Sequence, residues 1–218
     1  MKNNVFLFNN IPLQNVQEYK YLGIMFRASG TFSKAVDVLR KKALKVIFMI
    51  KRNFQGDYAY PKLLLKLFDS CVRPILLYGS ELWGTYVLNI GRKLNSNSNI
   101  SNILEKSFED FSPENIHTRF CKYVLGVSKY ASNIASRAEL GRFPITIFVL
   151  IQSIKYWLYL YDKPFINFSK LAYNSLIHND CNHQSTFNHN IGVFLKHIGF
   201  GHVWENKTTL SKPKLFLP

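Results

Sequence analysis

The chain has 218 residues, of which 47% are hydrophobic, enough for one sizeable core or for two small domains joined by a polar linker. Its 28 lysines and arginines against 13 acidic residues give a net charge of +15, which favours a polyanionic partner, with nucleic acid ahead of an acidic membrane surface. A chain that is disordered over most of its length is excluded by this hydrophobic content.

Cysteine use and hydropathy indicate the compartment. Cys71, Cys121 and Cys181 are odd in number and far apart, which is more typical of a reducing intracellular environment, nucleus or cytoplasm, than of a disulfide framework. One apolar stretch, residues 145–161, contains Lys155 and is shorter than the ~20 apolar residues that a transmembrane helix needs. We therefore expect an intracellular protein with a core helix in this stretch and no membrane partner.

Residues 1–28 are predicted to form a β-hairpin. The runs at 5–8 and 19–26 are rich in aromatic and aliphatic side chains, and turn-forming asparagines follow the first run. Gly23 interrupts the second run, which indicates a bulge or a point where another backbone passes close. Because an isolated hairpin is only marginally stable in water, we expect it to pack on the helices that follow or on a partner.

A long helix is predicted after Gly30, with Thr31 as its N-cap. Its apolar face is formed by residues at helical spacing, Phe32, Ala35, Leu39, Ala43, Val46, Ile47 and Ile50.

The opposite face of this helix carries a basic row. The row is formed by Lys34, Lys41, Lys45 and Arg52, with Arg40, Lys42 and Lys51 on its flanks. Spacings of seven, four and seven residues keep the row on one side of the helix over about 27 Å. Asp37 is the acid within the helix and stands at the favourable spacing to Lys41. Such a row is typical of a surface that binds a phosphate backbone, although a charge run is also typical of a solvated helix face.

Residues 62–84 are predicted to form a second core helix, antiparallel to the first, because their apolar side chains recur at steps of three and four. Pro74 lies in the middle, where a proline removes a backbone hydrogen bond and crowds a carbonyl, at a cost of roughly 3 kcal/mol. We therefore expect the helix to kink or restart there. Gly79 then gives a neighbouring element room for a close approach.

Residues 93–111 include NSNSNISN and are predicted to be a polar linker. Residues 112–178 are predicted to form a second helical lobe, and residues 179–218 an Asn- and His-rich tail that is partly disordered. Within that lobe the sequence carries signals for three helices. Ser112 is an N-cap before Pro113 in a helix that Gly126 ends, a short helix over 133–140 stops at Gly141, and Pro144 opens the helix over 145–161.

The histidines and the cysteine at the end of this lobe and in the tail do not predict a metal site. His178, Cys181, His183 and His189 match no common zinc-finger spacing, and their flanks are rich in asparagine. We expect no metal and no cofactor.

Two distinctive stretches are Tyr21-Leu22-Gly23, within YKYLGIMF, and PILLYGSELWG at residues 74–84. Along the chain the order is YKYLGIMF, SGTF, LRKKALKVIFMIKR and LFDSCVRPILLYGSELWG, and these segments resemble the region immediately after the catalytic palm in reverse transcriptases of non-LTR (LINE-type) retrotransposons. The later segment IHTRFCKYVLGVSKYASNIASRAELGRFPI is similar to the part that follows the thumb in the same elements. The resemblance covers roughly residues 5–162. It implies that the hairpin, with Tyr21, Leu22 and Gly23, is the end of the palm that steadies the primer terminus. It also implies that residues 29–92 are thumb-like helices that grip a template–primer duplex.

The chain departs from the family in its acidic residues. Polymerases of this family carry metal-binding aspartates in the palm, including an adjacent pair, whereas this sequence contains no Asp-Asp. A two-metal phosphoryl-transfer site therefore has no visible ligands. We interpret the chain as a C-terminal fragment that is not an enzyme on its own.

The sequence thus predicts a mainly α-helical protein with an N-terminal β-hairpin, a thumb-like helix bundle and a second helical lobe. The predicted function is binding of template–primer nucleic acid through Lys34, Arg40, Lys41, Lys45 and Arg52, with the palm and fingers of the polymerase as a further partner. The alternative is a protein-interaction or structural helical module with no nucleic-acid role.

Overall fold

The structure, a computed structural model, describes residues 7–9, 11–54, 60–88, 111–179 and 187–206. These residues are mainly helical, with two small antiparallel hairpins at the N-terminal end, which confirms the predicted fold class. Residues 93–110 of the predicted linker, and 180–186 and 207–218 of the predicted tail, lie outside the described residues, as do Cys181 and His183.

The N-terminal strands pair differently from the prediction. Strand β1 (Leu7–Phe8) pairs with β2 (Ile11–Pro12), and β3 (Glu18–Tyr21) pairs with β4 (Ile24–Arg27). The second apolar run is therefore a hairpin in itself, and the predicted strand over 19–26 with a bulge at Gly23 is wrong. Leu22 and Gly23 have φ angles of 46° and 84°, the left-handed conformation of a tight two-residue turn. A leucine rarely adopts it, so the turn has no clear sequence signal.

Helix α1 (Ser33–Asn53) buries the predicted face. Its buried residues are Ala35, Val36, Leu39, Ala43, Ile47 and Ile50. The predicted cap is wrong, because Phe32 occupies the N-cap position and no side chain bonds to the helix start. The Thr31 hydroxyl lies 2.9 Å from the Ser29 hydroxyl instead.

The second helix changes its geometry next to Pro74 and is interrupted by a turn at residues 78–79. Helix α2 (Pro61–Leu67) continues into a π-helical segment, Phe68–Val72, followed by α3 (Arg73–Leu77) and α4 (Ser80–Leu88). In the π segment the Arg73 N–H donates to the Phe68 carbonyl, five residues back. Pro74 has no N–H to donate, and a π bulge is one of the ways in which a helix absorbs such a defect. The predicted restart near Pro74 is confirmed.

The next three helices begin and end close to their sequence signals, and three more helices follow them among the described residues. They are α5 (Ser112–Leu125), α6 (Asn133–Glu139), α7 (Ile145–Asp162), α8 (Phe168–Asn179), α9 (Phe187–His197) and α10 (Gly201–Asn206). Gly126 ends α5 with φ 66°, Gly141 follows α6 with φ 62°, and Pro144 is the N-cap of α7. The N-cap of α5 is Phe111 rather than Ser112, with Pro113 in the first turn. None of the helices in the described ranges combines the length and hydrophobicity needed to cross a membrane.

Two hydrophobic clusters hold the helices together. The first joins α1 to α5 and α7, so that helices on both sides of residues 89–110 share one core. Gly84 in α4 lies so close to α7 that an added Cβ would be 2.5 Å from Val149 Cγ1. The second cluster surrounds Trp157 at the C-terminal half of α7 and includes residues of α8, α9 and α10. Helices α9 and α10 therefore give residues 187–206 of the predicted tail a packed structure.

A buried charge cluster, formed by Glu114 and Arg137 with the His117 ring beside them, lies between α5, α6 and the start of α7. The Arg137 guanidinium stands 3.1 Å from the Glu114 carboxylate and donates to Thr118 Oγ1 at 3.0 Å. The backbone N–H of Thr146, in the first turn of α7, donates to Glu114 at 3.3 Å. Since buried charge is costly unless paired, this arrangement fixes the relative position of the three helices.

A second charged contact connects the π segment to the loop before α7. Arg142 binds the Asp69 carboxylate with both terminal nitrogens, one of them at 2.7 Å, and Arg73 stands 3.5 Å from the same carboxylate. Burial is the largest influence on the pKa of Asp69 and opposes its ionisation. The hydrogen bond and charge of Arg142, with the charge of Arg73, outweigh it and hold that pKa below its ordinary value.

Candidate nucleic-acid interface

The outer face of α1 carries the predicted basic row. Its apolar face is buried against the first cluster, and Lys41, Lys45 and Arg52 are exposed on the opposite side. Lys34 is exposed as well, although it is close to the hairpin. The four cations of the row therefore share one solvent-facing side of a single helix.

The first cation of the row has a partner that the sequence did not predict. Glu18 of β3 forms an ion pair with Lys34 and another, at 3.3 Å, with Arg27. The hydrogen bond from Lys34 is the largest influence on the pKa of Glu18 and, with the two positive charges, lowers that pKa. Glu18 lies 16 residues before Lys34, so helical spacing could not reveal this contact.

Asp37 is shared between two cations of α1. Arg40 stands 2.9 Å and Lys41 3.0 Å from its carboxylate oxygens. The pKa of Asp37 is lowered, mainly by the hydrogen bond from Lys41 and next by the hydrogen bond from Arg40. These groups are at the surface, where ion pairs contribute about 0–1 kcal/mol. A phosphate can therefore replace Asp37 as the partner of either cation at little cost to the fold.

Lys45 and Arg52 form no ion pair within the described residues. Lys51, on the flank of the row, has its ammonium 4.1 Å from the ring centre of Tyr123 in α5. Burial lowers the pKa of Lys51. The C-terminal half of the row is thus the part with positive charge that no described acid neutralises.

Two large apolar side chains stand beside the row and were not predicted as part of it. Phe48 is 66% exposed and Met49 is 52% exposed. They follow Lys45 by three and four residues, so that they flank it on the same side of the helix. An exposed phenylalanine on the polar face of the predicted helix was visible in the sequence as an exception to the apolar pattern.

The predicted primer-grip residues form the tip of the β3–β4 hairpin. Tyr21 and Leu22 are exposed, and the Leu22 carbonyl accepts a hydrogen bond from the Tyr78 hydroxyl at 2.6 Å. Gly23 lies against the same ring, since an added Cβ would be 3.3 Å from Tyr78 Cε1. The close approach at Gly23 is therefore made by the side chain of Tyr78, and not by another backbone as predicted.

The turn between α3 and α4 also contacts the β3–β4 hairpin. Gly79 has φ 67°, which residues with a side chain rarely adopt, and an added Cβ would overlap the end of the Ile24 side chain in β4. The close approach expected at Gly79 is confirmed, and the turn itself is held by the Trp83 indole, which donates to the Tyr78 carbonyl at 2.9 Å. The two distinctive stretches of the sequence, around residues 21–24 and 78–83, thus meet in space.

The acidic residues show no metal centre in the described part of the chain. No group of three or more His, Cys, Asp or Glu side chains there is arranged to hold an ion. Asp57, Asp110 and Asp180 lie outside the described residues.

Comparison with known proteins gives one informative similarity. Over 71 residues the chain is 35% identical to an uncharacterized protein of Caenorhabditis elegans described as transposon-derived. The aligned segment is 33% of this chain and 25% of that protein, so the chain spans about a quarter of the length of the curated relative it matches. No family model matches the chain, and no solved structure matches it. The similarity connects the chain to transposon-derived sequence.

Proposed function

We propose that this chain is the part of a non-LTR retrotransposon reverse transcriptase that follows the catalytic palm, and that it binds a template–primer duplex through the outer face of α1. The observation that carries the proposal is the exposed basic row, in which Lys45 and Arg52 have no acidic partner among the described residues. The similarity to a transposon-derived protein supports the same origin.

The row suits a phosphate backbone in its length and spacing. At ~1.5 Å per residue it extends over about 27 Å, and double-stranded DNA carries one charge per ~1.7 Å of its axis, so several phosphates lie within reach of each cation. Such contacts position a duplex without reading its sequence. We therefore expect binding that depends on duplex geometry and salt, and hardly on base sequence.

The hairpin would complete this site as a primer-grip-like element. Tyr21, Leu22 and Gly23 form a tip that the Tyr78 hydroxyl bonds to the helical part. The ion pair between Lys34 and Glu18 also joins the hairpin to the first turn of α1. Hairpin and helix can thus hold a primer terminus and its duplex in a fixed relation.

The palm and fingers of a polymerase would be the further partner. Five apolar residues at the N-terminal end, Leu7, Phe8, Ile11, Leu13 and Val16, are between 48% and 67% exposed. Exposed apolar surface is typical of an interaction site. Without those parts, the chain is expected to extend no primer when supplied with template, nucleotides and Mg²⁺.

The test is the salt dependence of binding to a labelled template–primer duplex. Each phosphate contact releases condensed counterion, so the logarithm of affinity falls with the logarithm of salt by about 0.9 per contact on B-DNA. Lys45→Glu should weaken binding to all sequences alike and lower that slope by roughly one unit. Its free energy of unfolding should change by less than about 0.5 kcal/mol, since the side chain is exposed.

Lys155→Glu in α7 is the matched control, because Lys155 is also exposed and in the middle of a helix. The change in net charge is identical, so a specific site predicts a larger loss of affinity for the α1 variant. Equal losses from the two variants would mean that only net charge attracts the duplex.

A protein-interaction module is the second function that an observation favours. Phe48 and Met49 are exposed beside the basic row, and a protein partner would bury them where a phosphate backbone would not. If the wild-type chain and Lys45→Glu bind the duplex with the same affinity and salt slope, the row is a solvated face and the interaction module takes its place.

A further inference from the structure

A second basic surface lies around the C-terminal half of α5 and the loop that leads to α6. It is a pocket with a volume of about 770 Å³, within the ~300–1,000 Å³ typical of sites for small molecules. Its lining includes Asn115, Arg119, Lys122, Tyr123, Tyr130 and Asn133, and Lys129 contributes from the loop. None of the described residues that line it is acidic.

Lys122 is the central cation of this pocket and is unusual in being only 8% exposed. In the described part of the chain its ammonium donates one hydrogen bond, to the Lys129 carbonyl at 2.8 Å. An ammonium has three donors, and within the described residues no acid pairs with this one. A buried ammonium with donors to spare, facing a pocket that Arg119 and Lys129 also line, is an arrangement that an anion would complete.

The aromatic side chains of the pocket suit a base. Tyr130 is 84% exposed, and its ring lies under the Lys129 ammonium at 4.8 Å. Asn115 and Asn133 offer amides that both donate and accept hydrogen bonds, as base edges require. Phosphate-binding cations and an open aromatic platform are the combination that single-stranded nucleic acid uses.

The pocket adjoins the end of α1. Tyr123 lines it on α5 and has the Lys51 ammonium over its ring at 4.1 Å. Lys51 and Arg52 are the basic residues of the last turn of α1. A strand that leaves a duplex on α1 at this end would therefore meet the pocket next.

We propose that the pocket binds an unpaired nucleotide of the strand that extends beyond the duplex, with its phosphate at Lys122 and Arg119 and its base stacked on Tyr130. The proposal rests on the proposed function, since it assigns the single-stranded part of the same nucleic acid to a second site. Lys122 acts as the buried anchor, and Tyr130 provides a platform that tolerates any base.

The experiment compares a blunt duplex with the same duplex carrying a single-stranded overhang of about six nucleotides. Stacking of one base raises affinity about 5–150-fold, so the overhang should increase affinity by at least about 5-fold. Tyr130→Ala should remove most of that gain and leave affinity for the blunt duplex unchanged, whereas Tyr130→Phe should retain it. Arg119→Ala should lower the salt slope for the overhang duplex by about 0.7, the value for one single-strand phosphate.

Tyr159→Ala is the matched control, because Tyr159 is also exposed and also has a lysine ammonium, that of Lys163, over its ring at 4.3 Å. This variant should keep the full gain from the overhang. Both tyrosines are at the surface, so both variants are expected to fold, and circular dichroism checks that they do.

The outcomes separate this proposal from the proposed function. If the blunt duplex binds with the expected slope but the overhang adds nothing, the pocket proposal is overturned and duplex binding by α1 stands. If the overhang gain survives Tyr130→Ala, or disappears equally in Tyr159→Ala, the assignment of the pocket is wrong. If a nucleoside monophosphate at 1:1 with the protein displaces the overhang, the pocket is a site for free nucleotides and the proposal is overturned as well.

Discussion

The outer face of α1 and the buried charge cluster between α5, α6 and α7 use the same kinds of side chain in opposite ways. In the cluster, Glu114 and Arg137 are 1% and 8% exposed and stand 3.1 Å apart. On α1, the cations are at the surface, and Lys45 and Arg52 form no ion pair with a described residue. Burial enforces pairing because an unpaired charge in the interior is costly. The fold therefore requires the charges of the cluster and does not require those of the row, which leaves the row available to a partner.

The substitution with the largest expected loss of stability is Glu114→Ala. It leaves the Arg137 guanidinium buried without its carboxylate and takes an acceptor from the Thr146 N–H. Loss of one partner of a buried pair costs about 3–5 kcal/mol, and urea unfolding measures it. Asp37→Ala on α1 is the counterpart at the surface and should cost about 0–1 kcal/mol. Equal losses would show that burial does not distinguish the two regions.

Acid should weaken the contact between Asp69 and Arg142, which is intermediate in burial between the charge cluster and the row. Because the pKa of Asp69 is lowered in the folded protein, its ionised form contributes stability that is fully present above its ordinary pKa of 3.8. This contribution is lost as pH falls through the lowered value. Urea unfolding between pH 6 and pH 2.5 should therefore show wild type more stable than Asp69→Asn above about pH 4, with a difference that shrinks in acid. A difference that is constant with pH would mean that packing, not charge, makes the contact.

The smallest expected effect concerns two thiols. Cys121 is buried beside the charge cluster. Burial is the main cause that raises the pKa of its thiol, to about 11. Cys71 in the π segment is exposed. Since the thiolate is the reactive form, iodoacetamide at pH 8 should modify Cys71 well before Cys121, as peptide mass spectrometry can show. Urea should remove the difference, and rapid labelling of Cys121 in the native protein would contradict the burial of this region.

The sequence predicts the local features of this fold well because they depend on neighbours in the chain. The buried face of α1, the restart near Pro74 and the helix ends at Gly126 and Gly141 all follow from spacing and from the conformational limits of proline and glycine. Even the close approach at Gly79, whose contact with Ile24 is distant in sequence, could be predicted, because a glycine inside an apolar run removes a side chain where one would otherwise pack.

What the sequence did not predict has two causes, unusual local geometry and contacts between elements that the fold brings together. The N-cap at Thr31 was wrong because its hydroxyl is close to Ser29 instead. The hairpin was mispaired because its turn uses a leucine at positive φ. At the candidate site, the row itself was predicted, but its ion pair from Lys34 to Glu18 and the pocket around Lys122 were not. Both depend on which elements the fold brings together.

The joint between the hairpin tip and the α3–α4 turn also has a consequence for synthesis on the ribosome. The bond from the Tyr78 hydroxyl to the Leu22 carbonyl joins residues 56 positions apart. At ~5–20 residues per second, the docking site is made roughly 3–11 s after the tip that it receives. The nascent hairpin therefore lacks its docking site, and Ile24 lacks its contact with Gly79, until translation has passed Trp83. A pause before that point would lengthen the interval in which a chaperone can bind this end of the chain.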